Sequence, residues 1–184
     1  TRDISSHIEE IYGFSLSESM VSRITNKILP TIEEWRQRPL EEVYPFVFMD
    51  AIHYNVRDNG MVVKKAVYIV LAYTMDGHKE VLGMYVGENE SSKYWLMVLN
   101  DLKNRGLKNV LIFSTDNLPG FSQAITAVYP KAEIQKCIIH QIRSSTRYVN
   151  YKDRKELMND LKTIYKANTE EIALVQLDYF EDKW

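Results

Sequence analysis

Two turn signals, Asp58-Asn59-Gly60 and Asp76-Gly77, bracket an apolar run from Val62 to Thr74 and commit the middle of the chain to antiparallel strands. The run is so apolar between Ala66 and Ala72 that it should be a central strand. A first strand is expected from Phe46 through Asp50 to about Arg57, and a third from Glu80 to Val86. Asp58 and Asp76 are thereby accounted for as turn residues of a three-stranded meander.

Helices and strands then alternate. Ser91 or Ser92 is suited to cap a helix carrying Trp95, Val98, Leu99 and Leu102, which Gly106 ends. The apolar run Val110-Leu111-Ile112-Phe113 reads as a buried strand and leads through Ser114 and Thr115 to Asp116. Pro119 suits the first turn of a further helix, with Phe121, Ala124, Ile125 and Val128 inward. A short strand near Ala132 to Gln135 precedes a helix bearing Ile138, Ile139 and Ile142. Two amphipathic helices follow, about Asp153 to Lys166 and Thr169 to Lys183. A meander followed by helix, strand, helix, strand, helix is the element order of an RNase H-like mixed α/β sheet, in which the first and fourth strands lie side by side.

That adjacency matters because Asp50 and Asp116 each come just after an apolar strand run. Neighbouring carboxylates repel unless cations sit between them, so the pair is a natural cage for Mg²⁺ or Mn²⁺. Two unrelated loop aspartates are the ordinary alternative, and the expected strand order favours the pair.

The first forty residues look helical and separate. Ile4, Ile8 and Ile11 recur at helical spacing before Gly13. A second helix should start near Ser15 or Ser17 and bury Val21, Ile24, Ile28 and Leu29, leaving Ser19, Ser22, Arg23, Asn26 and Lys27 outside. This fits a helix-turn-helix that reads DNA with Arg23 and Lys27, and it equally fits a plain helical hairpin. Pro30 should end the helix, leaving a connector to Pro45. Three segments result: residues 1–40 helical, 41–150 the core, and 151–184 the start of a further helical unit.

The net charge of −2 over 184 residues carries no global sign of nucleic acid. Yet Lys136, Arg143, Arg147, Lys152, Arg154 and Lys155 face only Asp153 in their stretch, a basic patch able to neutralise phosphates, or a solvated helix face. A single cysteine excludes an internal disulfide and fits a reducing cytosol. No apolar run is long enough to span a membrane. The start at Thr1 and the stop inside a helical pattern at Trp184 read as a piece of a longer protein.

Several stretches in order resemble one family. They are Asp50-Ala51-Ile52-His53-Tyr54-Asn55-Val56-Arg57, Lys79-Glu80-Val81-Leu82-Gly83, Asp116 through Gly120-Phe121 to Ala124-Ile125, and Cys137-Ile138-Ile139-His140-Gln141-Ile142-Arg143. From about Leu40 to Trp184 the chain is similar to Mutator-type transposases of bacterial insertion sequences, which use an Asp-Asp-Glu triad. The resemblance implies that Asp50 and Asp116 are the first two acids, and that the glutamate lies beyond inserted helices, past Trp184. Glu170, Glu171 and Glu181 fall in the wrong context for it. It implies two Mg²⁺ or Mn²⁺ ions, cleavage at element ends and strand transfer into target DNA. It also implies binding to terminal inverted repeats by a homodimer or larger assembly, in the bacterial cytoplasm at the nucleoid. The family's usual glycine after the second acid is Asn117 here, the next residue most tolerant of a positive φ.

Arg57, Arg143 and Arg147 are candidate phosphate contacts. Cys137 and His140 form half of a zinc pattern, but with one cysteine in the chain a buried Cys137 and a His140 near the cleft or bound DNA fit better. His53 should point away from Asp50. Competing readings are another RNase H-like nuclease, such as a junction resolvase, and a catalytically incomplete DNA-binding module. A phosphatase with Asp-x-Asp after its first strand is disfavoured, because Asp50-Ala51-Ile52 lacks the second acid.

Overall fold

Alternating apolar residues build the sheet. In β2 (Met61–Tyr73) Ala66, Tyr68, Val70 and Ala72 are buried, while the intervening Val67, Ile69, Leu71 and Tyr73 are half-covered. Strand β2 pairs antiparallel with β1 (Val43–Asp58) on one side and β3 (Lys79–Gly87) on the other. Strand β4 (Asn109–Thr115) runs parallel to β1, and β5 (Glu133–Lys136) parallel to β4. The order is β3-β2-β1-β4-β5, which is the RNase H-like arrangement. Strand β2 is interior as expected, but the middle of the sheet is β1.

The computed structural model describes residues 2–58, 61–87 and 92–184. Most of the expected Asp58-Asn59-Gly60 turn, and Ser91 as a cap, lie outside the described residues, and the side chain of Ser92 is likewise outside. The Asp76-Gly77 turn is present, with Gly77 at φ +82° and its N–H donated to Thr74 C=O.

Two helices cover one face of the sheet. Helix α3 (Ser92–Asn104) buries Trp95, Val98, Leu99 and Leu102, and α4 (Phe121–Val128) buries Phe121, Ala124, Ile125 and Val128. Trp95 stacks on Phe121 with centroids 4.7 Å apart and meets Tyr68 edge-on at 4.9 Å, so one indole joins both helices to β2. Phe46, Phe48 and Ile52 lie on the other face and stay largely exposed. Helix α5 (Ile138–Ser145) follows β5, and two single 3₁₀ turns (Thr146–Tyr148 and Tyr151–Asp153) lead to α6 (Arg154–Tyr165) and α7 (Glu170–Lys183).

The amino-terminal segment departs from expectation. Helices α1 (Arg2–Tyr12) and α2 (Glu18–Gln37) are separated by Gly13 at φ +72°, and Ser17 caps α2 by accepting the Met20 N–H. Pro30 does not end α2 but sits inside it. It removes only one donor, the N–H that would reach Asn26 C=O, and the residues beyond it continue the helical pattern through Ile32 and Trp35. The expected buried stripe is mostly exposed: Val21 is buried, whereas Ile24, Ile28 and Leu29 remain open to solvent. Pro119 likewise precedes α4 rather than entering its first turn, because Gly120 takes the cap position at φ +82°.

The expected connector to Pro45 is pinned to the sheet, and β1 already begins at Val43. Arg38 Nη2 donates to Glu80 Oε1 and to Val81 C=O, both at 2.7 Å. Tyr44 Oη donates to Glu80 Oε2 at 2.8 Å, and Arg105 Nε donates to Arg38 C=O at 3.0 Å. Arg105 Nη1 reaches Leu82 C=O at 2.8 Å, where the β2–β3 register shifts and leaves Leu82 as an extra residue. Burial, then the bond to Glu80, pushes the Tyr44 hydroxyl pKa up to about 12.

Candidate functional site

The last register pair of the parallel β1–β4 ladder is Met49 with Thr115, and the next residue on each strand is an aspartate. Parallel neighbours lie about 4.8 Å apart across the sheet, so Asp50 and Asp116 leave the ladder side by side. As the sequence led one to expect, Asp50 stands within its strand, since β1 continues to Asp58 along β2. What ends beside Asp50 is the pairing with β4.

The two carboxylates are held differently. Asp50 is on the open face opposite Ile69, its side chain 59% exposed, and its Oδ1 accepts the Ala51 N–H at 2.8 Å. Asp116 is half-buried where the chain leaves β4, and its Oδ1 accepts the Leu118 N–H at 3.3 Å. Thr115 beneath it is buried, with its hydroxyl donated to Asp116 C=O at 3.1 Å.

The Cys-x-x-His stretch reaches the same spot. The Cys137 N–H donates to Thr115 C=O at 2.7 Å, which fixes the start of α5 against the end of β4. One turn later His140 Nε2 lies 3.8 Å from Asp50 Oδ1, while its Nδ1 is buried with no hydrogen-bond partner among the described residues. Cys137 is half-buried at this joint rather than fully buried, because the cap position leaves one side of it open. No group of three or more His, Cys, Asp or Glu side chains able to hold a metal is found among the described residues.

A groove of about 580 Å³ opens from Asp116 between the loop before α4 and helix α5, and Arg143, Arg147 and Tyr148 line it with His140. Two of the residues singled out as phosphate contacts therefore share a groove with Asp116. Arg57 does not: it lies seven residues beyond Asp50 on β1, about 23 Å along the strand at ~3.3 Å per residue. Arg23 and Lys27 are exposed on α2 in the amino-terminal segment. His53 pairs with the buried Ala66 and so takes the helix-covered face, away from Asp50. Tyr148 was missed by sequence reasoning, although an aromatic inside a basic stretch was a readable signal.

A family described as "Transposase, Mutator family" matches residues 1–184. The transposase for insertion sequence element ISRM3 of Rhizobium meliloti (strain 1021) is 46% identical over 181 residues, covering 98% of this chain and 45% of that protein. A probable insertion sequence transposase of Corynebacterium diphtheriae is 38% identical over 180 residues, covering 98% of this chain and 52% of that protein. The chain thus spans about half the length of the curated relatives it matches. Among solved structures, the Drosophila P element transposase strand transfer complex aligns with a TM-score of 0.37 and 12% identity, over 80% of this chain and 43% of that one, a likeness too slight to argue from.

Proposed function

Because the chain belongs to the Mutator family of transposases, we propose that Asp50 and Asp116 are two of the acids of a divalent-metal site for cutting and joining DNA. The observation that supports this reading is the termination of the β1–β4 ladder at Met49 and Thr115, with an aspartate next after each.

The donor set fits magnesium or manganese. Both donors are hard carboxylate oxygens, and Mg²⁺ is commonly held by one or two carboxylates with its other positions left to water and substrate phosphates. When bound, a pair of such ions activates a water or a DNA 3′-hydroxyl and stabilises the leaving oxygen of an in-line displacement at phosphorus. The chain's own residues do the positioning. Asp50 and Asp116 supply oxygens at one point on the sheet end, and Arg143 and Arg147 hold phosphate oxygens beside it by charge-assisted hydrogen bonds. His140 stands against Asp50 and limits where that carboxylate can turn.

The third acid, a glutamate, belongs in this reading to the part of the relatives' length that this chain does not span. Helix α2, capped by Ser17 after the Gly13 turn, would contact terminal inverted repeats through Arg23 and Lys27. Two element ends require two sites, hence a dimer or larger assembly on cytoplasmic DNA. Among the described residues no helix is long and apolar enough to cross a membrane. A second reading, a DNA-binding module without catalysis, is favoured by the lack, among the described residues, of any group of three His, Cys, Asp or Glu side chains placed to hold a metal ion.

The deciding experiment uses the chain extended to the length of its relatives, a duplex carrying an element end, and Mg²⁺ or Mn²⁺. Metal-dependent nicking that disappears in both Asp50→Ala and Asp116→Ala is expected. Cleavage that persists in either variant, or sequence-selective binding with no cleavage at all, sinks the catalytic reading.

A further inference from the structure

We infer that the groove beside Asp116 receives a single unpaired DNA strand, with Tyr148 as the platform on which one of its bases stacks. This deepens the metal-site reading above and rests on it for the identity of the polymer.

Position comes first. One continuous cavity of about 580 Å³ leads from Asp116 and His140 past Arg143 and Arg147 to Tyr148. A volume of that order suits a small ligand. A base of one strand can enter it, whereas in a duplex the bases are paired and stacked and only phosphates face outward. A strand whose base enters this groove has therefore left its partner locally.

The chemistry of the walls agrees. Arg143 in α5 and Arg147 in the following 3₁₀ turn are four residues apart and project on neighbouring turns toward the same cavity. Neither guanidinium is engaged by a carboxylate among the described residues, so both are available to phosphate oxygens. Of the three intervening hydroxyls, Ser145 Oγ donates to Gln141 C=O at 2.9 Å and Thr146 Oγ1 to Arg143 C=O at 2.8 Å, while Ser144 lines the groove. Tyr148, which also lines the groove, is 86% exposed, so its ring face is open to a stacking base. Leu118 and Pro119 give the opposite wall an apolar surface. Cations along a groove with an exposed ring at its end are what a single strand uses, phosphates on arginine and base on aromatic.

The test is fluorescence anisotropy of the 184-residue chain with one labelled oligonucleotide, single-stranded and as a blunt duplex, in buffer containing a chelator. Tyr148→Ala is expected to weaken single-strand binding roughly tenfold, the order of one base–aromatic stack, and to leave duplex binding unchanged. Tyr148→Phe, which keeps the ring, should restore the parent value. Arg143→Ala and Arg147→Ala should weaken single-strand binding and each flatten its salt dependence by about 0.7 in log–log slope. A Tyr148→Ala effect that is absent, or equal for both forms of DNA, overturns the inference. Metal-dependent nicking by the chain extended to its relatives' length separates the two ideas. Strand-selective loss without nicking removes the catalytic reading alone, and nicking without strand-selective loss removes this one alone.

Discussion

Met49 and Thr115 face each other as the final rung of the parallel β1–β4 ladder, and the chain places an aspartate directly after each. Two adjacent carboxylates stabilise nothing by themselves, so their value shows only with a cation present. Parent protein should melt at a higher temperature as Mn²⁺ is added, because ligand binding to the folded state adds about 2.7 kcal/mol at a hundredfold excess over Kd. Asp50→Ala and Asp116→Ala should melt near the metal-free parent, within about 0.5 kcal/mol, and show no response to Mn²⁺. Thermal melts with and without the ion decide it.

Trp95 joins α3, α4 and β2 through Phe121 and Tyr68. Trp95→Ala should cost about 3–5 kcal/mol, since it opens a cavity between three elements at once. A urea midpoint that falls with the slope unchanged is the expected signature.

Glu80 accepts from both Arg38 and Tyr44 and so ties the segment after α2 to the sheet. Glu80→Ala leaves the buried Tyr44 hydroxyl without its acceptor and should cost about 1–3 kcal/mol. Trypsin should then cut after Arg36 faster than in the parent, and Glu80→Gln should recover part of the protection. Unchanged cleavage would mean that other contacts hold this segment.

Alkali should unfold the protein through its buried phenols. The Tyr44 pKa is raised to about 12 from an ordinary 10, by burial and then by the bond to Glu80. Tyr85 and Tyr129 are raised as well, chiefly by burial. A phenol whose folded pKa lies above its unfolded value holds its proton more tightly when folded. Its contribution is complete below pH 10 and is lost as pH rises from 10 toward 12. Denaturation at pH 8, 10 and 11.5 should show a flat region and then a fall, with a shallower fall in Tyr44→Phe.

Pro30 sits within an exposed stretch of α2 without ending it. Pro30→Ala restores the missing donor to Asn26 and should stabilise α2 by up to about 3 kcal/mol. Helical circular dichroism should increase, with no change in the near-ultraviolet signal of the core.

The meander, α3, β4 and α4 were legible because their signals are local. Turn dipeptides, period-two alternation around Val70 and helical spacing from Trp95 to Leu102 each act within a few residues. The adjacency of β1 and β4, on which the proposed pairing of Asp50 and Asp116 rests, was legible one step removed, through the element order. The Arg38–Glu80–Tyr44 tie was not, since a contact between residues some forty positions apart leaves no periodic trace. The α2 stripe failed for a different reason: helical spacing reports an apolar face, and says nothing of whether a partner covers it. Pro30 misled because even a proline's cost of about 3 kcal/mol inside a helix can be outweighed by a regular flanking pattern.

Strand β3 is the outer edge of the sheet, the place where one protein molecule can add its own strand to another. Here two backbone carbonyls, those of Val81 and Leu82, already accept from Arg38 and Arg105. A strand arriving from a neighbouring molecule would have to strip two guanidinium groups from that border and then follow a kinked line at Leu82. The arginines that fasten the amino-terminal segment thus also act as a guard against aggregation, and runaway sheet growth has to begin somewhere other than β3.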